Sequence, residues 1–117
     1  MFTYRMTDKV AVDVTARVVE RAADIFSLLS APVRLRIVLE LHSGEKSMGE
    51  LLNVVHGRQP NMSQHLSMLC RAGLLARRKQ GAHAYYSLAN DSAVSACRII
   101  CAQVAEKSDK RLAPSVL

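Results

Sequence analysis

Acidic side chains are missing from the middle of this chain: the ten Asp and Glu stand at 8, 13, 20, 24, 40, 45, 50, 91, 106 and 109, so the forty residues from Leu51 to Asn90 contain none. Within that window Arg58, Arg71, Arg77, Arg78 and Lys79 give five positive charges, and His56, His65 and His83 add to them at lower pH. An ordinary solvated face intersperses both signs, whereas this one suits a polyanion. Aromatic residues are scarce, with no Trp, two Phe and three Tyr, and there are only five glycines. The core must then come from Leu, Val, Ile, Ala and Met, which favours helices over a large sheet. No apolar run approaches the roughly 18 to 20 residues of a membrane span. The first 21 residues, broken by Arg5, Asp8, Lys9, Asp13 and Arg17, fit neither a span nor a signal peptide. Three cysteines, at 70, 97 and 101 with no CxxC pair, do not make a secreted disulfide framework, so a reducing cytoplasm without membrane contact is expected. Catalytic parts are lacking as well: the basic segment has no paired carboxylates, nucleophile elbow or phosphate loop, and no enzyme is expected. The 117 residues, with a net charge of +6, make one domain, small enough that pairing with a second copy helps bury its apolar surface.

Apolar residues set the helices. Val18, Ala22, Ile25 and Leu29 recur by four, three and four, marking an amphipathic helix within Val14 to Leu29. Ser30-Ala31-Pro32 interrupts it, and Pro32 opens a second helix through Leu35, Val38, Leu39 and Leu41 that stops at Ser43-Gly44. Ser47 with Glu50 three residues on predicts a capping box at the head of a short third helix, Met48 to Val55. His56-Gly57-Arg58-Gln59 is a turn, and Pro60 begins a fourth helix that ends near Ala72 with Gly73 beyond it. Two helices around a short Gly-containing turn are the sequence form of a helix-turn-helix. Leu74 to Lys79 and His83 to Leu88 then read as two strands around Gln80-Gly81-Ala82, a hairpin in the position of a wing. Asn90 or Asp91 caps a last helix through Val94, Cys97, Cys101 and Val104. The expected fold is mainly α with a small β-hairpin, a dimeric winged helix-turn-helix in the order ααααββα. Residues 1–13 are expected to form an N-terminal arm, 14–106 the DNA-binding and dimerisation domain, and 107–117, where the apolar period is lost, a flexible tail.

On the fourth helix Met62, Leu66 and Leu69 share one side, while Asn61, Gln64, Ser67, Met68 and Arg71 lie opposite. Asn and Gln pair with adenine edges, and Ser and His serve bases or phosphates, so the polar side suits a major groove. The candidate DNA contacts are Arg58, Gln59, Asn61, Ser63, Gln64, His65, Ser67 and Arg71, joined in the hairpin by Lys79, Gln80 and His83. Arg77 and Arg78 alternate across their strand, so only one is expected to touch phosphate. Tyr85 and Tyr86 divide between core and surface in the same way.

Four motifs then come in order: Leu28-Leu29-Ser30-Ala31-Pro32-Val33-Arg34-Leu35-Arg36-Ile37; Gly44-Glu45-Lys46-Ser47-Met48-Gly49-Glu50-Leu51; Gln59-Pro60-Asn61-Met62-Ser63-Gln64-His65-Leu66-Ser67-Met68-Leu69; and Arg77-Arg78 with Tyr85-Tyr86-Ser87-Leu88. From about Ala22 to Ala105 the chain resembles the ArsR/SmtB winged helix-turn-helix repressors. The resemblance implies a homodimer joined through its first and last helices. It also implies recognition of an imperfect inverted repeat in double-stranded DNA, and repression relieved by a chemical signal. The family pattern has Ser or Thr where Asn61 stands, so the base preference there differs.

Neither of the family's usual metal sets is complete. The third helix, Glu50-Leu51-Leu52-Asn53-Val54-Val55, lacks the Cys-Val-Cys core. In the last helix Asp91 matches, but Ala93, Val104 and Lys107 occupy ligand positions of the zinc sensors. The second-helix thiol of the persulfide-sensing branch is replaced by Leu39. The remaining effector candidates are Cys97 and Cys101, four apart on one helix face, with Cys70 third. Such thiols suit a bound metalloid, an oxidant or a reactive sulfur species, or else serve as core packing. Arg98 beside Cys97 is expected to lower that thiol's pKa. Rival readings are a constitutive repressor without an inducer, a non-specific architectural DNA binder and a protein-only interaction module.

Overall fold

The computed structural model describes residues 2–5, 11–55 and 61–112. Strands β1 (Phe2–Arg5) and β2 (Ala11–Val14) form an antiparallel ladder pairing Phe2 with Val14 and Arg5 with Ala11, so the segment expected to be an arm carries its own hairpin. Helices α1 (Ala16–Leu29) and α2 (Pro32–Leu41) follow, then the two-residue strand β3 (Lys46–Ser47) and helix α3 (Met48–Val54). Helix α4 (Met62–Arg71), strands β4 (Leu75–Gln80) and β5 (His83–Leu88), and helix α5 (Asp91–Leu112) complete the order ββααβααββα.

The predicted helices and wing are present, and three strands are added, β1 and β2 of the N-terminal hairpin and β3. β3 pairs Lys46 with Tyr86 and Ser47 with Tyr85, turning the expected hairpin into a three-stranded sheet of order β3-β5-β4. Two residues carry no readable period, which hides β3 in the sequence. Helix α5 also continues through Lys107 to Leu112, within the segment expected to be a tail. Glu106, Lys107, Lys110 and Arg111 are good helix formers, so loss of the apolar period there marks a helix leaving the core rather than ending.

Local chemistry explains the boundaries. Thr15 caps α1 by accepting from the Val18 amide at 3.3 Å. At α3 the capping box is complete, Ser47 Oγ accepting from the Glu50 amide at 3.1 Å and Glu50 Oε1 from the Ser47 amide at 2.9 Å. Those bonds hold the Glu50 carboxyl below the usual carboxylate range. Asn90 caps α5 by accepting from the Ala93 amide. Gly73, at φ +80°, ends α4 in a Schellman arrangement: its amide donates to the Cys70 carbonyl and the Leu74 amide to that of Leu69. Gly81, at φ +61°, is the first of the two residues turning β4 into β5, where a primed turn requires a positive φ.

Ile37 and Val38 of α2, Leu51 of α3, Leu66 and Leu69 of α4, Leu75 and Tyr86 of the sheet, and Val94 of α5 meet in one core. Each aliphatic side chain so buried stabilises the fold by about 1.5–3 kcal/mol. Helix α1 joins this core only at its C-terminal end, through Ile25, Leu28 and Leu29, leaving Val18, Val19 and Phe26 exposed. Past Cys101, α5 leaves it too, and Ile99, Ile100 and Val104 also stay exposed.

Candidate nucleic-acid interface

The periodicity of α4 has the predicted consequence. Met62, Leu66 and Leu69 are buried, while Ser63, Gln64, Ser67 and Arg71 face outward around a shallow depression of about 340 Å³ that Met68 also lines. Ser63, Gln64 and Ser67 have no intramolecular side-chain hydrogen bond among the described residues. Asn61 precedes the helix with φ −92° and ψ −8°, exposed, and its side chain makes no capping bond. Four polar side chains thus stand unpartnered along one exposed edge, with no carboxylate on the helix to repel a phosphate. Arg58 and Gln59 lie outside the described residues.

His65 is set differently from its neighbours. It is half-buried, and its Nδ1 lies 3.3 Å from Nη1 of Arg34 on α2, whose Nε donates to the Leu28 carbonyl at 2.7 Å. Burial, and secondarily the Arg34 charge, push the imidazole pKa below its ordinary value, so the ring is neutral at pH 7.

The wing sorts its cations by the strand register. Arg78 sits opposite Tyr85 and Arg77 opposite buried Tyr86, so the two arginines point to opposite faces, as do the two tyrosines. Arg78 is engaged four ways. Its Nε and Nη2 donate to Glu45 Oε2 and Oε1 at 3.1 and 2.7 Å, its Nη1 to Gln80 Oε1 at 2.6 Å, and its guanidinium lies 4.7 Å from the Tyr85 ring centre. This bidentate contact holds the Glu45 carboxyl below the usual carboxylate range. Arg77 and Lys79 are exposed and make no ion pair among the described residues, which makes Arg77 the free one of the two arginines between which the sequence left the phosphate contact open. Its signal was present in the sequence as an Arg on an edge strand inside the acid-free window. Gln80 shares the Arg78 face with His83, whose ring centre is 6.4 Å from that of Tyr85.

Cys97 and Cys101 lie away from this surface. Cys97 is buried, Cys101 half-buried, and both line an apolar groove of about 290 Å³ between α1 and α5, with Ile25, Phe26, Leu29 and Ile100. Burial, then the neighbouring Cys101, push the Cys97 thiol pKa up. The lowering expected from Arg98 is therefore overturned: Arg98 is exposed, and desolvation of Cys97 dominates. Burial also raises the Cys70 thiol, opposed by Arg77. Among the described residues no three His, Cys, Asp or Glu side chains come together, and none of the helices is long and apolar enough to cross a membrane.

A family model described as a helix-turn-helix domain matches residues 28–78, from the end of α1 into the wing. The chain is 35% identical over 85 residues to a biofilm growth-associated repressor of Xylella fastidiosa, covering 69% of this chain and 75% of that one. It is 36% identical over 73 residues to the HTH-type transcriptional repressor SmtB of Mycobacterium tuberculosis, covering 62% of this chain and 54% of that one. The chain belongs to the ArsR/SmtB family. Its fold follows that of a solved relative: the crystal structure of Rv0081 from M. tuberculosis superposes with a TM-score of 0.68 at 31% identity, covering 82% of this chain and 98% of that one. The chain spans about half the length of the SmtB relative.

Proposed function

We propose that the protein is a homodimeric, sequence-specific transcriptional repressor that inserts α4 into the major groove of an imperfect inverted repeat and so occludes a promoter. The observation that carries this reading is the outward edge of α4, where Asn61, Ser63, Gln64 and Ser67 stand exposed beside buried Met62, Leu66 and Leu69. Relatives named as repressors support it, and the exposed apolar residues of α1 and α5 support a dimer. Arg71, Arg77 and Lys79 supply phosphate attraction, and Arg58 and Gln59 join the reading from the sequence alone. A release signal acting through Cys97 and Cys101 is supported by their sharing one groove against α1. Trivalent arsenic would take its third sulfur from the partner, because the pair offers only two and Cys70 does not come together with them.

Footprinting on the DNA upstream of the protein's own gene tests this. We expect a protected inverted repeat, lost on treatment with trivalent arsenic, persulfide or peroxide and retained under the same treatment by Cys97→Ser and Cys101→Ser. Protection that survives every treatment in the wild type would return the thiols to the core. Gln64→Ala is expected to cost about 1–3 kcal/mol of discrimination at one base pair per half-site. An unchanged ranking of operator variants would remove Gln64 from the reading surface.

The wing gives a prediction whose sign opposes simple electrostatics. Removing a negative charge near DNA ordinarily tightens binding. Glu45, however, holds Arg78 and through it Gln80. The ion pair is fully present above the usual carboxylate range and is lost only as pH falls through the lowered pKa of Glu45, so it is intact at neutral pH. Glu45→Gln is therefore expected to weaken duplex binding about twofold, the modest scale of an exposed pair, in fluorescence anisotropy at fixed salt. Tightening would show instead that Arg78, once freed, is a phosphate contact.

A further inference from the structure

The apolar side chains Met62, Leu66 and Leu69 set how deeply α4 sits in the domain. Apolar burial is non-directional, so by itself it specifies the roll of the helix on its seat only loosely. One contact is directional. Arg34, in the first turn of α2, bridges the Leu28 carbonyl of α1 and Nδ1 of His65, 31 residues further along the chain. No other side-chain hydrogen bond joins α4 to another element among the described residues. A guanidinium only donates, so the bridge exists only while Nδ1 is unprotonated and the ring carries its proton on Nε2.

We propose that Arg34 is a positioning residue that fixes the rotation of α4 through neutral His65, and that protonating His65 releases this hold, so DNA binding weakens in acid. The proposal rests on α4 being the helix that reads DNA.

The charged groups around the site offer an imidazolium no compensation. On α2, Glu40 is taken by Arg36, and on α3, Glu50 by the Ser47 amide. Glu45, beside β3, is held by Arg78 of β4; of the other β4 cations, Arg77 acts on Cys70 and Lys79 is exposed. Arg21 and Asp24 of α1 line a groove with Arg71, at the far end of α4. Arg34 is the charged group that faces His65, so protonation both removes the acceptor and sets two cations together. A histidine that bound phosphate would behave oppositely, because its protonation tightens the complex. Effects of acid elsewhere in the protein are common to the wild type and a variant at position 65, and the comparison between them subtracts those effects.

The test uses a duplex selected by the protein itself from a randomised library, with affinity measured from pH 7.5 to 5.5 at constant ionic strength. His65→Asn keeps an acceptor near the Nδ1 position without a titrating ring. Read as the ratio of affinities at pH 5.5 and pH 7.5, the wild type should fall about three- to tenfold further than this variant, the scale of one net hydrogen bond. Arg34→Met should bind weakly at both pH values, with a far-ultraviolet circular dichroism spectrum that shows the fold intact. Parallel profiles for wild type and His65→Asn, or a wild type that tightens more in acid, would overturn the proposal. If no duplex is selected, the DNA-reading role itself fails. Amide exchange over Met62–Arg71 in the free protein then decides the clamp: faster exchange at pH 5.5 in wild type than in His65→Asn upholds it, and equal exchange overturns it.

Discussion

Replacing Ile100 by aspartate is expected to turn the proposed dimer into a folded monomer. Ile100 is 53% exposed and Phe26 64%, and with Val18, Val19, Ile99 and Val104 they line the two helices that the core engages over only part of their length. Large apolar side chains left in water along two neighbouring helices mark a surface that a partner covers. A two-fold dimer presents the same patch from each copy, so one substitution introduces two carboxylates. Desolvating an unpaired carboxylate costs several kcal/mol, so the dimer constant should weaken by about a thousandfold or more. Sedimentation equilibrium at micromolar concentration reads the change directly. Because position 100 makes little contact with its own core, the circular dichroism spectrum should keep its helical form. A dimer of unchanged affinity would show that α1 and α5 are not the interface.

Leu66→Ala attacks the opposite face of the reading helix. Leu66 is fully buried and touches solvent nowhere. Truncating such a leucine removes its transfer energy and leaves a cavity, for a loss of about 2–5 kcal/mol. Set against a typical domain stability of roughly 5–15 kcal/mol, this is a large fraction of the whole. Urea unfolding of variant and wild type at one protomer concentration, which dimer linkage requires, measures it. Ser67→Ala, one residue along and exposed, should change stability by less than about 0.5 kcal/mol. A Leu66 loss below about 1 kcal/mol would mean that α4 is not anchored through this side.

The contrast between those neighbouring positions was readable without coordinates, because a helical period assigns Leu66 and Ser67 to opposite sides. The same holds for the capping box at Ser47 and Glu50 and for the glycine stop at Gly73, whose signals are local. What escaped was contact across sequence distance. Arg34 and His65 are 31 residues apart, Glu45 and Arg78 are 33 apart, and no spacing rule connects either pair. His65 consequently read like its neighbours Ser63 and Gln64 as a side chain offered outward, although its Nδ1 is turned inward. Arg78 was legible only as one of two alternating arginines; choosing the tethered one required knowing where Glu45 comes to rest. The Cys97 thiol shows a further limit: Arg98 is adjacent in sequence, yet burial governs the acidity.

The Schellman stop at the end of α4 leaves almost no slack before the wing. Gly73 turns the chain, Leu74 and Leu75 are both buried, and β4 begins at once, with the Ala89 amide bonded to the Leu74 carbonyl. Helix and hairpin are therefore welded into a gauge of constant span. With α4 in a major groove, as proposed, such a gauge would measure the offset to the groove that the wing reaches, and the double helix would twist or bend to match it. Two operators with identical contacted bases but different stiffness between them would then be held with different strength, the protein weighing elasticity at positions that it never touches.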